Sequence, residues 1–254
     1  MISPNQPPLK QLLSHWVAPE WPAAPHVRAY VSTRAGDVNS PPFDGFNTAD
    51  HVGDNIAQVE ANREQLQTYF QWRAPVRWIN QTHSVVVEDL SQPMLAESDA
   101  VTSDQVGAVC LVHTADCLPV FFTDKDGVRV ALAHAGWRGL LNGVLENTLA
   151  CFLPDDEVYA WLGPAIGPHH FEVGEEVREL FVAHDARAAL AFGPSNEGKY
   201  LCDLYFIARL RLSINPRCRV FGGELCSYGD DRFFSYRQQP QTGRMLSMIW
   251  LDNR

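Results

Sequence analysis

Short apolar runs bounded by Gly, Pro, Asp or Asn recur along the chain. They are VRAYVS (27–32), VRWIN (76–80), AVCLV (108–112), LPVFF (118–122), VRVALAH (128–134), VYAWLG (158–163), RVFGG (219–223) and MLSMIWL (245–251). Their β-branched and aromatic content predicts strands. Between them, helical spacing covers Ile56 to Phe70 after Asp54 and Asn55, and Leu140 to Phe152 after a Gly-Trp-Arg-Gly turn. It returns from Glu175 to His184, and from Leu204 to Leu212 after Asp203. The two kinds of element mix without strict βαβ alternation. The pattern therefore predicts an α/β fold with a mixed β-sheet core flanked by helices. No repeat or linker divides residues 26–254, which read as a single domain; the proline-containing residues 1–25 read as an extended lead-in.

One local pattern goes further. LPVFF, TDKDG and VRVALAH form a hairpin sequence in which Gly127 is free to adopt a positive φ. With the turn centred between Lys125 and Asp126, Cys117 lies directly opposite His134 at the open end. A bulge at Gly127 shifts that register by one residue. Cross-strand Cβ atoms are roughly 5 Å apart, close enough for a thiol and an imidazole to share a metal ion or a proton.

A single Cys before an apolar run is ordinarily a small buried hydrophobe; the pairing with His134 is what makes Cys117 a candidate. His83, in NQTHSVVV, supplies a third donor at the edge of another apolar run. Two His and one Cys suit zinc and leave a fourth position open, as a catalytic site requires. The turn Gly136-Trp137-Arg138-Gly139 is either a tight connection or an anion site at the start of a helix. Asp99 and Asp116 are candidates for a general acid or, equally, for structural hydrogen-bond acceptors. The Gly- and Pro-rich segment LGPAIGPHHFEVGEEV either lines a cleft or forms a rigid connection.

Composition narrows the partners. Of 254 residues, 46% are hydrophobic and 20% charged, as expected for a globular protein with a real core. A formal net charge of −10 argues against non-specific binding to nucleic acid or to anionic membranes. Neither a signal peptide nor a membrane span is read, and the six dispersed cysteines read as free thiols, so the cytoplasm is the expected location. His-x-His pairs, the Cys-x-x-Cys half of nucleoside deaminases, His-Glu-x-x-His, Walker A and Gly-x-Ser-x-Gly motifs do not occur.

QTHS (81–84), TADCLPV (114–120) and AHAGWRG (133–139) resemble the three signature segments of the YfiH family, whose members are also labelled laccase-domain proteins, polyphenol oxidases or peptidoglycan editing factors. STRAGDVNSPPFDGFNTADHVGDN, LGPAIGPHHFEVGEEVRE and CSYGDDRFFSYRQQPQTGRMLSMIWL extend the resemblance over nearly the whole chain, with Gln238 standing where the family often has a second arginine. The resemblance implies a metal site of His83, Cys117 and His134 that usually binds zinc, with copper as the older assignment. It also implies small-molecule substrates, phosphate and the purine nucleosides adenosine, inosine, guanosine and methylthioadenosine. Phosphorolysis is the leading expectation, with adenosine deamination at the same site. Arg34, in the STR segment, and Arg138 are the expected phosphate contacts. The alternatives are a Cys117/His134 hydrolase acting on cell-wall precursors, a copper-dependent polyphenol oxidase, and a structural metal site completed by Cys110 or His113.

Overall fold

The computed structural model describes residues 11, 13–35, 39–72 and 74–252. Its core is a six-stranded sheet in the order β11-β7-β5-β6-β3-β2. These strands are β2 (Val87–Asp89), β3 (Ala100–Ser103), β5 (Leu118–Asp124), β6 (Val130–Ala135), β7 (Val158–Leu162) and β11 (Cys218–Gly222). β11 runs parallel to β7 and β2 parallel to β3, while the other pairs are antiparallel, so the sheet is mixed. A second sheet of β1 (Val27–Val31), β12 (Met245–Leu251) and β4 (Val109–Thr114) is antiparallel with β12 at its centre.

Side-chain alternation along the central strands explains the layering. Val120 and Phe122 of β5, with Ala131 and Ala133 of β6, point to one face. There they meet Leu140 and Leu145 from the helices α2 (Trp137–Asn142) and α3 (Val144–Leu149) and Ile207 from α5 (Leu204–Leu212). Phe121 and Leu132 point to the other face and meet Val31, Val112 and Ile249 of the three-stranded sheet. Both faces are covered, so β5 and β6 read as unbroken apolar runs. Phe121 and Phe122 are fully buried, and each contributes about 1.5–3 kcal/mol. Beyond the three-stranded sheet, Leu66 of α1 (Ile56–Phe70) packs with Trp16, Leu246 and Trp250. The remaining elements are α4 (Glu175–His184) and a small antiparallel sheet of β8 (Glu172–Gly174), β10 (Lys199–Cys202) and β9 (Phe192–Pro194).

Several sequence expectations change. The helix expected over 140–152 begins at Trp137 and is broken into two by Gly143, whose φ of 103° interrupts the α-helical path. VRWIN forms no strand: Trp78 is held by side-chain stacking rather than by a ladder. Within the expected lead-in, Trp16 is buried and Val17 bridges Val31 through two backbone hydrogen bonds, while residues 1–10 lie outside the described residues. All six cysteines are free. No described helix is long and apolar enough to cross a membrane.

Candidate metal centre

The β5–β6 hairpin turns one position later than expected. Asp124 accepts from the backbone N–H groups of Asp126, Val128 and Arg129, which centres the turn between Asp126 and Gly127. Pro119, not Cys117, is therefore the partner of His134. A displacement of two residues preserves the face of the sheet. Cys117, in the bend before β5, still reaches His134 diagonally. His83 approaches from the loop before β2, and one donor atom from each of the three residues lies within 4.8 Å of the others. The two imidazoles meet edge to face at 4.9 Å, and Cys117 Sγ lies 3.7 Å from His83 Nε2. Among the described residues this is the one such three-donor group; neither Cys110 nor His113 joins it.

Asp99 organises the group. Its fully buried carboxylate accepts from the backbone N–H groups of Thr82, His83 and Ser84 at 3.0, 3.0 and 2.6 Å, and from His134 Nδ1 at 2.7 Å. A carboxylate only accepts, so Nδ1 carries the proton and Nε2 of His134 is left for the site. The backbone wrapped around Asp99 also holds His83 at a φ of 62°. Burial by itself would raise the Asp99 carboxyl, but the hydrogen bonds and charge of His134 and the bonds from Ser84 bring it down to about 2. Burial also opposes ionisation of Cys117 and His134. Their mutual attraction overrides it, drawing the thiol down and the imidazole up. Asp116, at a φ of 85°, accepts from the Ser227 hydroxyl and from Arg237 N–H, so it too serves as a structural acceptor.

Gly136 explains why β6 ends as it does. A Cβ there would lie 2.6 Å from His83 Cδ2 and 3.0 Å from Cys117 Sγ, so only a glycine lets both donors close over the strand end. The three donors lie on the wall of a cavity of about 450 Å³. Its apolar side is formed by Trp137, Ile166, Phe171 and Leu204, so the Gly- and Pro-rich segment lines a cleft. Its polar side includes His51, His113, Arg237 and Arg244. Of the residues expected from sequence, neither Arg34 nor Arg138 borders this cavity. Arg34 is paired with Asp44 at 2.9 Å and lies over Phe234, and exposed Arg138 lies over Trp137. Arg237 and Arg244 were missed because they stand in a polar loop without periodicity. The available signal was a pair of arginines just before a strongly apolar strand.

His113 has a separate role in stability. Its Nε2 shares a 2.9 Å hydrogen bond with Thr48 Oγ1, and its ring stacks on Trp78, which Arg63 covers in turn. Burial first, and then the nearby His51 and Arg63 charges, push its pKa down to about 3. An unfolded histidine titrates near pH 6.5, so between these values the unfolded chain binds the extra proton and stability falls as pH falls. The expected loss is about 2 kcal/mol between pH 7.5 and 5. Urea melts of His113→Gln, which cannot titrate, should show a correspondingly shallower pH slope; an unchanged slope would contradict the assignment.

Comparison with known proteins places this architecture. Residues 28–252 match the family model described as multi-copper polyphenol oxidoreductase laccase. The chain is 47% identical to the purine nucleoside phosphorylase YfiH of Escherichia coli, over 94% of this chain and all of that protein. The chain belongs to the YfiH family. A purine nucleoside phosphorylase of Haemophilus influenzae is 44% identical over 93% of this YfiH-family chain and 99% of its own. Among solved structures, a Neisseria meningitidis protein superposes with a TM-score of 0.86 at 43% identity, covering 94% of this chain and all of that one. YlmD from Geobacillus stearothermophilus superposes at 0.82 and 28% identity, over 94% and 96% of the two chains.

Proposed function

We propose that this YfiH-family chain is a zinc-dependent purine nucleoside phosphorylase. The observation that carries the reading is the convergence of two imidazoles and a thiol on the wall of a cavity of nucleoside size. The names of the Escherichia coli and Haemophilus influenzae relatives support the same reaction. His83, Cys117 and His134 make a zinc donor set with a fourth position open. A zinc ion held there supplies Lewis acidity beside the substrate. Asp99 fixes the His134 tautomer and the His83 backbone, so the donors stand ready without rearrangement. Trp137 and Phe171 offer aromatic surface to a purine ring, and the apolar wall keeps water from the glycosidic bond. We extend the proposal to adenosine deamination in the same cavity. A multicopper oxidase fits less well, since it needs several donor clusters where the described residues form one.

The test is to incubate the zinc-loaded protein with inosine, adenosine and methylthioadenosine, with and without phosphate, and to separate the products. Phosphate-dependent release of free base, lost in Cys117→Ala, is the expected result, with inosine formed from adenosine as the mark of deamination. No turnover of any nucleoside overturns the reading. The 3.7 Å contact between Cys117 and His83 favours one second reading, a thiolate hydrolase. Full activity without bound zinc, abolished by a thiol alkylator, would favour that alternative.

A further inference from the structure

Phosphorolysis requires an anion held close to the nucleoside, and this protein carries a formal net charge of −10. Most of its described arginines are neutralised locally. Arg34, Arg63, Arg77, Arg129, Arg187, Arg211, Arg217, Arg219 and Arg232 each have a carboxylate partner. Arg237 and Arg244 have none among the described residues, and both border the cavity that contains the metal donors.

Their remaining contacts fix how they are presented. Arg244 donates from Nη1 to the carbonyls of Thr242 and Gly243, at 2.8 and 3.0 Å. Its backbone N–H is held by Asn47 Oδ1 at 3.1 Å. Arg237 donates from Nη1 to the carbonyls of Glu172 and His170, at 3.2 and 3.5 Å, and lies over the Phe171 ring. Its backbone N–H donates to Asp116 at 2.6 Å, which ties it to the residue before Cys117. Each guanidinium is thus anchored through Nη1. The Nε–Nη2 edge has no protein acceptor among the described residues. That edge is the two-donor fork that matches a phosphate or carboxylate. Burial is the largest influence on Arg244 and lowers its pKa, with Cys117 and Asp116 opposing, as expected for a cation short of counter-charge. His51, beside Arg244 on the same wall, adds a hydrogen-bonding group whose protonation is disfavoured by burial and by the Arg244 charge.

We infer that Arg237 and Arg244 form the subsite for inorganic phosphate, gripping it through their free Nε–Nη2 edges opposite the metal donors. This rests on the phosphorylase reading for its purpose, but not for its test. Two forks on one dianion satisfy several oxygens at once and leave the nucleoside to the aromatic wall. The subsite replaces the expected pair Arg34 and Arg138, which border other surfaces.

The test is titration of inorganic phosphate into the purified full chain, read by calorimetry or by the fluorescence of cavity-lining Trp137. Arg237→Gln and Arg244→Gln should each weaken binding about tenfold and the double variant about a hundredfold, with unchanged melting temperature. Arg34→Gln should bind as the unmodified protein does. In steady state, the KM for phosphate should rise in the two variants while the KM for nucleoside holds. A folded double variant that binds phosphate normally overturns the subsite, as does an unmodified protein that binds none. Arginine-dependent phosphate binding without any phosphorolysis supports the subsite and overturns the phosphorylase reading. Phosphorolysis with an unaltered phosphate KM in both variants does the reverse.

Discussion

Asp99→Asn is expected to cost about 3–5 kcal/mol of stability and to weaken zinc binding about 10–100-fold. The carboxylate accepts four hydrogen bonds, three from consecutive backbone N–H groups and one from His134. An asparagine has one acceptor oxygen, and its NH₂ would face a donor whichever way the amide is turned. At least one buried donor is left unsatisfied, and the His83 loop and the His134 tautomer lose their common anchor. The sign of the pH effect follows from the depressed carboxyl. With a native value of about 2 against an ordinary 3.8, the stabilisation is complete above pH 3.8 and lost as pH falls toward 2. Urea denaturation at neutral pH and zinc competition with a chromogenic chelator measure the two effects. An Asp99→Asn protein as stable and as zinc-avid as the unmodified chain would falsify the anchoring role.

Gly136→Ala should separate activity from stability. Its backbone, at φ −68° and ψ 165°, is open to any residue, so alanine brings no conformational strain. It also removes freedom from the unfolded chain, a gain of about 0.4–1 kcal/mol. The added methyl, however, would lie 2.6 Å from the His83 ring and 3.0 Å from Cys117 Sγ. The exposed His83 side chain gives way first, because His134 is pinned by Asp99. A displacement of about 1 Å at a reacting centre costs on the order of 100-fold in rate. The expected outcome is an unchanged or slightly raised melting temperature with activity and zinc affinity sharply reduced. Normal turnover in this variant would mean that His83 is not needed in its present place.

The parts of this site that were legible in the sequence are those written in regular structure. Cys117 and His134 flank a hairpin whose turn residues are visible, and a two-residue error in register left them on the same face. β12 and the helices Glu175–His184 and Leu204–Leu212 coincide with their apolar patterns. What escaped is held by side chains and irregular backbone. Ala100–Ser103 is a fully buried strand that ends in Thr and Ser, so its polarity concealed it. Trp78 looked like a strand residue because it is apolar, yet its place is set by stacking between Arg63 and His113. Arg237 and Arg244 reach the cavity from a loop where charge normally means solvent. Asp99 could be named in advance, but its role depended on a chain path that no local pattern contains.

The central position of β12 has a consequence for how the protein is made. Val27 of β1 pairs with Leu251, and β4 lies along the other side of the same strand. During synthesis β1 and β4 emerge long before β12, and until it arrives each presents an unpaired edge that other chains can join. Arg244 lies immediately ahead of that strand and Arg237 in the loop before it, so the segment that completes the β1-β12-β4 sheet also carries the two guanidinium groups that border the cavity. His83, Cys117 and His134 all precede this cation pair in the chain. On the proposed subsite, phosphate binding therefore requires β12 to be docked between β1 and β4, and reports on that docking.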